Sequence, residues 1–383
     1  MARTDQQHFR VYTDQNRIKH IILGKYLSAY LNALKGAAPA FHYIDGFAGC
    51  GLYEEKHLGS PLLALEALGK QTRPFSVSFV EQDGRLFDGL ASEIEKRSAV
   101  KNLLDSPLLR HGEFHQFVGE ILSRPIYSKY RQAATFAFVD PCGVQGVHME
   151  DIARILRKPY GECLLFWNYD GINRWLGGVA KGEHDRAGLV DLFGDDASVE
   201  CALKYFEPTG KSPEKERGIV QLFIRALRSH RAYFVVPFRV EARDRDRTSH
   251  YLIHCSCHKL AFKIMKEVMG AVHTGTETGA FEFSTAAETL SLFQPIEAEA
   301  RERILQKVRT NPCRVSVFSK HWVSQPEDPF TAADYKRILL ELEAQGLIAV
   351  MDKQCSSPMP RDARPKAGQG KPTLGDDYYL QAR

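Results

Sequence analysis

Between residues 41 and 168 the chain alternates short apolar runs with stretches of helical periodicity, and this alternation constrains its fold more than any other feature. The runs are 41–45, 75–81, 135–140 and 162–168, with a shorter one near 109–112; the periodic stretches between them are 60–69, 84–98, 115–124 and 148–156. Alternation of this kind is the signature of an α/β fold with a mainly parallel sheet, because parallel strands need a long crossover, usually a helix. Ahead of it, Asp14 is expected to cap a helix in which Ile18, Ile22, Tyr26, Leu27, Tyr30 and Leu34 recur at helical spacing, with Gly36 and Pro39 ending it.

From about 170 to 230 the strand rhythm gives way to helical pattern, read as an insertion. Strands resume at 232–240 and 249–257, joined by the charged stretch 241–247, and are expected to be antiparallel. A helix at 259–269 and a strand at 281–283 complete a first domain, 1–295. The remainder, 296–383, runs helix 296–308, a segment at 315–322, helix 331–345, an apolar run at 347–350, a Pro/Gly/Lys-rich loop and a last run at 378–380, the order of a winged helix. Its wing carries Lys353, Arg361, Arg364, Lys366 and Lys371 against Asp362 alone, which makes Arg361, Arg364 and Lys366 candidates for contact with nucleic-acid phosphates.

The 383 residues are 44% hydrophobic and 26% charged with a net charge of +4, so any polyanion contact has to come from local patches. No apolar run approaches the roughly 20 residues of a membrane span, and Met1 to Asp5 lacks an apolar signal core, so the cytoplasm is the expected compartment. Eight cysteines without framework spacing are expected to be reduced thiols. His254-Cys255-Ser256-Cys257-His258 ends a strand in which Tyr251, Ile253, Cys255 and Cys257 share one face, which favours core packing over metal ligation. No metal is expected.

The chemistry gathers at strand ends. Tyr43-Ile44-Asp45-Gly46-Phe47-Ala48-Gly49-Cys50-Gly51 carries a strand into a glycine turn, where Gly49 and Gly51 leave room for an adenosine-type cofactor beside Phe47 and Asp45 can meet a cationic group. Glu81 closes the next strand, where a ribose-binding acid is expected. Glu113 and Phe114 follow the short third strand, placed to meet an adenine amine and stack on its ring, with a simple surface turn as the other reading. The run 135–139 delivers Asp140-Pro141-Cys142-Gly143 to the same edge. Asp140-Pro141 matches the first half of the Asp/Asn/Ser-Pro-Pro-aromatic motif of enzymes that methylate exocyclic amines, while Cys142 opens the alternative of a covalent thiolate, as in cytosine C5 methylation. Asn168, Asp170 and Arg174 follow the next strand and are candidates for an acceptor pocket, with helix capping by Asp170 as the other reading.

Taken together, 43–51, Gly59-Ser60-Pro61, Phe79-Val80-Glu81, 138–143 and 168–174 resemble the three-Cys-motif partner (TcmP) family in order and spacing, and the likeness runs from the helix holding Lys19 and His20 to the tail. That resemblance implies a class I S-adenosylmethionine-dependent methyltransferase with a Rossmann-like core, a helical insertion and a C-terminal winged helix. It also implies a partner, a three-cysteine protein that resembles radical-SAM enzymes, and does not fix the substrate; action on or near nucleic acid is expected from the tail and its basic loop. By position, Asp45, Gly49, Gly51 and Glu81 would form the cofactor edge, and Asp140-Pro141 the acceptor edge. Cys50 stands where the family usually has proline and Cys142 where it usually has phenylalanine, which removes a ring that could hold a planar base. A non-catalytic DNA-binding adaptor that recruits the partner is the rival expectation.

Overall fold

The structure, a computed structural model, describes residues 12–53, 56–97, 100–141, 143–205, 213–241, 248–272, 282–283, 294–325, 328, 330–364 and 374–382. The chain divides into two compact units, one built on residues up to Val272 and the other on residues from Gln294.

In the first unit α1 (Asp14–Ala33) precedes β1 (Phe41–Asp45), then α2 (Ser60–Gly69), β2 (Phe75–Glu81), α3 (Gly84–Glu95), β3 (Leu108–His111), α4 (Phe114–Ile121), α5 (Pro125–Lys129) and β4 (Ala134–Val139). Next come α6 (Met149–Leu156), β5 (Glu162–Trp167) and the helices α7 (Tyr169–Ala180), α8 (Ala187–Phe193), α9 (Asp196–Lys204) and α10 (Pro213–Ser229). β6 (Phe234–Glu241), β7 (Thr248–Ser256), α11 (Lys259–Gly270) and β8 (Glu282–Phe283) follow.

The strands form one sheet in the order β3-β2-β1-β4-β5-β7-β6-β8. β3, β2, β1, β4 and β5 are parallel, and β7 runs antiparallel to both β5 and β6. Every residue of β1, β2, β4 and β5 is buried, as expected of strands covered on both faces. This is a Rossmann-like, mainly parallel sheet with, among the described residues, four helices inserted between β5 and β6. Its order reverses at β1, where the chain turns one way to β2 and β3 and returns on the other side to β4 and β5; the crevice at such a switch point is where α/β sheets hold ligands.

α1 lies against the sheet through Tyr26 and Tyr30, whose rings stand 5.6 and 5.7 Å from that of Phe136 in β4. Its cap is Thr13, whose hydroxyl accepts from the Asn16 amide at 3.2 Å, one residue ahead of the expected Asp14. α5, opened by Pro125 at its first turn, is an element the periodicity did not announce, and α3 stops at Glu95 rather than 98. In β7, Tyr251, Ile253 and Cys255 are buried in the core, with Cys255 opposite Cys163 of β5, while His254 on the other face meets Glu162 at 3.0 Å. The charged connection 242–247 lies outside the described residues. Among the described residues no helix is long and apolar enough to cross a membrane, and no three His, Cys, Asp or Glu side chains are grouped to hold a metal ion.

The second unit runs α12 (Gln294–Thr310), β9 (Cys313–Arg314), helical turns at Val317–His321 and Trp322–Ser324, α13 (Ala332–Ala344), β10 (Ile348–Met351) and β11 (Tyr379–Ala382). β11 is the middle strand of an antiparallel sheet ordered β10-β11-β9. Thr331 and Asp334 close a capping box at the start of α13, and Ile304, Phe318, Tyr335, Ile338 and Leu380 build a separate core.

Candidate active site

Past β1 the backbone ties the switch point together. Gly46 N donates to Phe138 O of β4 at 3.1 Å, and Ala48 N to Val80 O of β2 at 2.9 Å, so the turn bridges both neighbours of β1. Gly49 and Gly51 then take positive φ, 63° and 77°, conformations that side chains resist. Glu81 reaches back across the turn: Gly49 N donates to its Oε2 at 2.7 Å and Asp83 N to its Oε1 at 2.8 Å. Burial raises the Glu81 carboxyl above the usual range, and the amides of Asp83 and Gly49 pull it back. An acid and a left-handed glycine turn therefore border one crevice.

Asp45 sits beneath that turn with no solvent exposure. Tyr43 Oη donates to its Oδ2 at 3.2 Å and Phe47 N to its Oδ1 at 3.3 Å, and the Ser60 hydroxyl adds a third bond. Burial lifts its pKa to about 7; the charge of Asp140 pushes the same way, and the bonds from Ser60, Phe47 and Tyr43 oppose it. Such a carboxyl is poised to ionise when a cation arrives beside it.

Asp140, one residue past β4, is met by Lys19 Nζ at its Oδ2. Lys19 is buried, 7% exposed, and its ammonium also lies 4.9 Å from the centre of the Phe166 ring. The expected acceptor group is thus half of an ion pair whose other half comes from α1. Position 19 lies four residues before Leu23 on the buried stripe of the helix, and a lysine on such a stripe was the available signal. Beside it His20 is held neutral, its pKa lowered to about 3 by burial first and then by the charges of Lys19 and His57; Tyr12 Oη bonds its Nδ1 at 3.2 Å. Pro141 is buried and borders a small cavity with Gly143, Phe166, Trp167 and Asn168 between the ends of β4 and β5. Cys142 lies outside the described residues.

The structure disperses other expected residues. Glu113 is exposed and accepts from Gln82 Nε2 at 3.4 Å, so it stands at the ends of β2 and β3. Phe114 is 3% exposed, its ring packed where Gly46 has no side chain and 6.1 Å from the ring of Phe47. It supports the turn from below rather than presenting an open face. Asn168, not Asp170, caps α7: its Oδ1 accepts from Gly171 N at 2.9 Å, because the helix begins directly after β5 and leaves the cap position to residue 168. Asp170 instead faces Arg174 at 3.7 Å, and the Arg174 side chain is 74% exposed.

In the second unit Arg364 is turned inward, against expectation. Its side chain has no exposure; Nη1 donates to Glu343 Oε2 at 3.0 Å and Nε to Met359 O at 3.0 Å. Arg361 Nε joins the same carboxylate at 3.1 Å. Burial raises the Glu343 carboxyl, but Arg364 and Arg361 more than offset it and leave it lowered. Lys353 pairs with Asp377 at 2.7 Å, and Lys366 lies outside the described residues.

No family model matches the chain, and no curated protein matches it in sequence. Among solved structures it is similar to the O-methyltransferase of Bacillus cereus in complex with SAH, at 14% identity over 61% of this chain and 80% of that one, with a TM-score of 0.32. It is similar also to cofactor-bound Rv0187 from MTB, at 11% identity over 67% and 83%, TM-score 0.32. Geranyl diphosphate methyltransferase in complex with GPP and sinefungin is a third, at 13% identity over 60% and 76%, TM-score 0.27. At such scores the order and direction of this chain's own strands, not the likeness, assign its fold.

Proposed function

We propose that the chain is an S-adenosylmethionine-dependent methyltransferase whose first unit holds the cofactor at the β1 turn and the methyl acceptor at Asp140. The observation that carries this is Glu81 bonded to Gly49 N across a turn with two left-handed glycines, at the switch point of the sheet. The residues fit the group: Glu81 keeps unused lone pairs for ribose hydroxyls, the turn admits close approach, and Asp45 answers a cationic end. When bound, the cofactor supplies an electrophilic methyl on a sulfonium sulfur. Asp140 would accept an N–H of the acceptor, orient the nitrogen lone pair toward the cofactor end, and take up the proton that the nitrogen sheds on methylation, passing it on to solvent. Most of the rate gain comes from positioning two reactants, roughly 7–11 kcal/mol in well-aligned systems.

The finer reading is membership of the three-Cys-motif partner family, with a three-cysteine, radical-SAM-like protein as partner and nucleic acid as the acceptor or its neighbour. Five separated blocks of sequence support it, as does the helix, strand, helix, hairpin order of the second unit, which suits a winged helix. The inward turn of Arg364 weakens the part of this reading that rests on the wing. The rival is a non-catalytic adaptor. Titration calorimetry with S-adenosylmethionine separates the two: heat of binding is expected, and none at cofactor levels far above physiological leaves the adaptor. Asp140→Ala is then expected to stop transfer of labelled methyl into separate DNA, RNA and protein pools while S-adenosylhomocysteine, which carries no sulfonium charge, still binds. Undiminished transfer would remove Asp140 from the acceptor site.

A further inference from the structure

Lys19 is placed as no ordinary helix lysine is. Its ammonium is buried between the Asp140 carboxylate and the face of Phe166, and the ring of Phe166 is backed by His250, stacked at 4.3 Å and 11°. The backbone that carries it is fixed: Ile18, Ile22 and Tyr26 of α1 are buried, and Gln15 Nε2 donates to Ser249 Oγ of β7 at 2.9 Å. Neither ion of such a pair is tolerated alone, because each was taken out of water against the other. Among the described residues Asp140 Oδ2 is committed to Lys19 and none bonds Oδ1.

We infer that Lys19 is a positioning residue that sets the charge of the acceptor edge: it cancels the Asp140 carboxylate and leaves Oδ1 for the N–H of a neutral nitrogen, such as a heterocyclic amine or an amide. An alkylammonium acceptor would add a third cation to Lys19 and the sulfonium, with two carboxylates to answer them. Asp140 is committed to Lys19, and Asp45, bonded by Tyr43, Ser60 and Phe47, is the acid that answers the cofactor's cation, so none is left for the acceptor. The inference rests on the cofactor reading above.

Two ligands test it without an identified acceptor. S-adenosylhomocysteine has a neutral sulfide at this point, whereas sinefungin has an amine-bearing carbon in place of the sulfur, so its ammonium stands where the sulfonium methyl would be and faces the acceptor edge. The ratio of their affinities, measured by calorimetry, reads the charge of the acceptor edge. Lys19→Met is expected to shift that ratio toward sinefungin by about tenfold or more, the scale of one uncompensated charge in a partly buried site. Asp140→Asn, which strands Lys19, is expected to shift it the other way, and the double substitution to return it near the wild-type value. A ratio that neither single substitution moves overturns the inference. If Lys19→Met does not fold, Asp140→Asn alone decides. Absence of heat with S-adenosylhomocysteine in the wild type overturns the cofactor reading itself, a distinct result.

Discussion

Asp45→Asn should make the protein more stable at neutral pH than the wild type, and by an amount that depends on pH. Folding holds the Asp45 carboxyl at a pKa of about 7, against 3.8 for the same group in open solution. Below pH 4 it is protonated in both states and contributes nothing. As pH rises from 4 to 7 the unfolded chain gives up the proton while the folded chain keeps it, so stability falls by about 1.4 kcal/mol per unit. Above 7 both states are ionised and the deficit stays constant at roughly 4 kcal/mol. Asparagine keeps an oxygen for Phe47 N, and the hydroxyls of Tyr43 and Ser60 can accept from its amide, so the substitution removes the titration with little loss of bonding. Between pH 5 and 8 the stability difference between variant and wild type should therefore grow by roughly 3 kcal/mol in favour of the variant. For a unit of this size that is on the order of 6–12 °C in melting temperature. Calorimetric scans of both proteins from pH 5 to 8 measure it, and parallel curves would refute the assignment of a buried, protonated Asp45. The same group links to the ligand. A cation docking beside Asp45 favours the carboxylate, so S-adenosylmethionine binding should release a proton and strengthen with pH up to about 7, and the variant should lose that dependence.

Two further substitutions probe the turn and the second unit. Gly51→Ala forces a side chain into φ 77° with its Cβ 3.0 Å from Leu90 Cδ1, and should cost roughly 1–3 kcal/mol in a urea titration; an unmoved midpoint would show the turn to be free of that constraint. Arg364→Ala leaves Glu343 to Arg361 alone and removes two bonds to the Met359 carbonyl, and should destabilise the second unit by about 1–3 kcal/mol while leaving the salt dependence of any nucleic-acid binding unchanged; a shallower salt slope would return Arg364 to the phosphate contacts.

The strands that build the site were legible because they are mostly apolar, with only His42, Ser76, Ser78 and Thr135 interrupting them before the acids at their ends. Phe41 to Asp45, Phe75 to Glu81 and Ala134 to Val139 need no alternation when both faces are covered, and their last residues mark the carboxyl edge by chemistry alone. Local competition was less legible. Thr13 and Asp14 are both good caps, as are Asn168 and Asp170, and which one wins is set by where the preceding segment lets the first helical turn begin. Least legible were pairings across long stretches of chain. Lys19 meets Asp140 121 residues later, and Arg364 meets Glu343 across a turn of 21, and neither separation leaves a trace in periodicity or composition.

Those long-range pairs alter function more than the misplaced caps do. From sequence, Asp45 reads as the acid for a cationic group, Glu81 as the ribose acid and Asp140 as the acceptor acid, with nothing to tell their charge states apart. The structure gives each a different state: Asp45 buried and poised near neutrality, Glu81 bonded by two backbone amides, Asp140 cancelled by Lys19. An edge with three free carboxylates would hold any cation, product included. With Asp140 cancelled and Asp45 only partly ionised near neutrality until a cation docks, attraction is centred on Asp45 and the edge at Asp140 stays near electrical neutrality. Under the proposed function, that separation would let a neutral nitrogen enter, and its methylated product, once it has shed its proton, leave without breaking an ion pair.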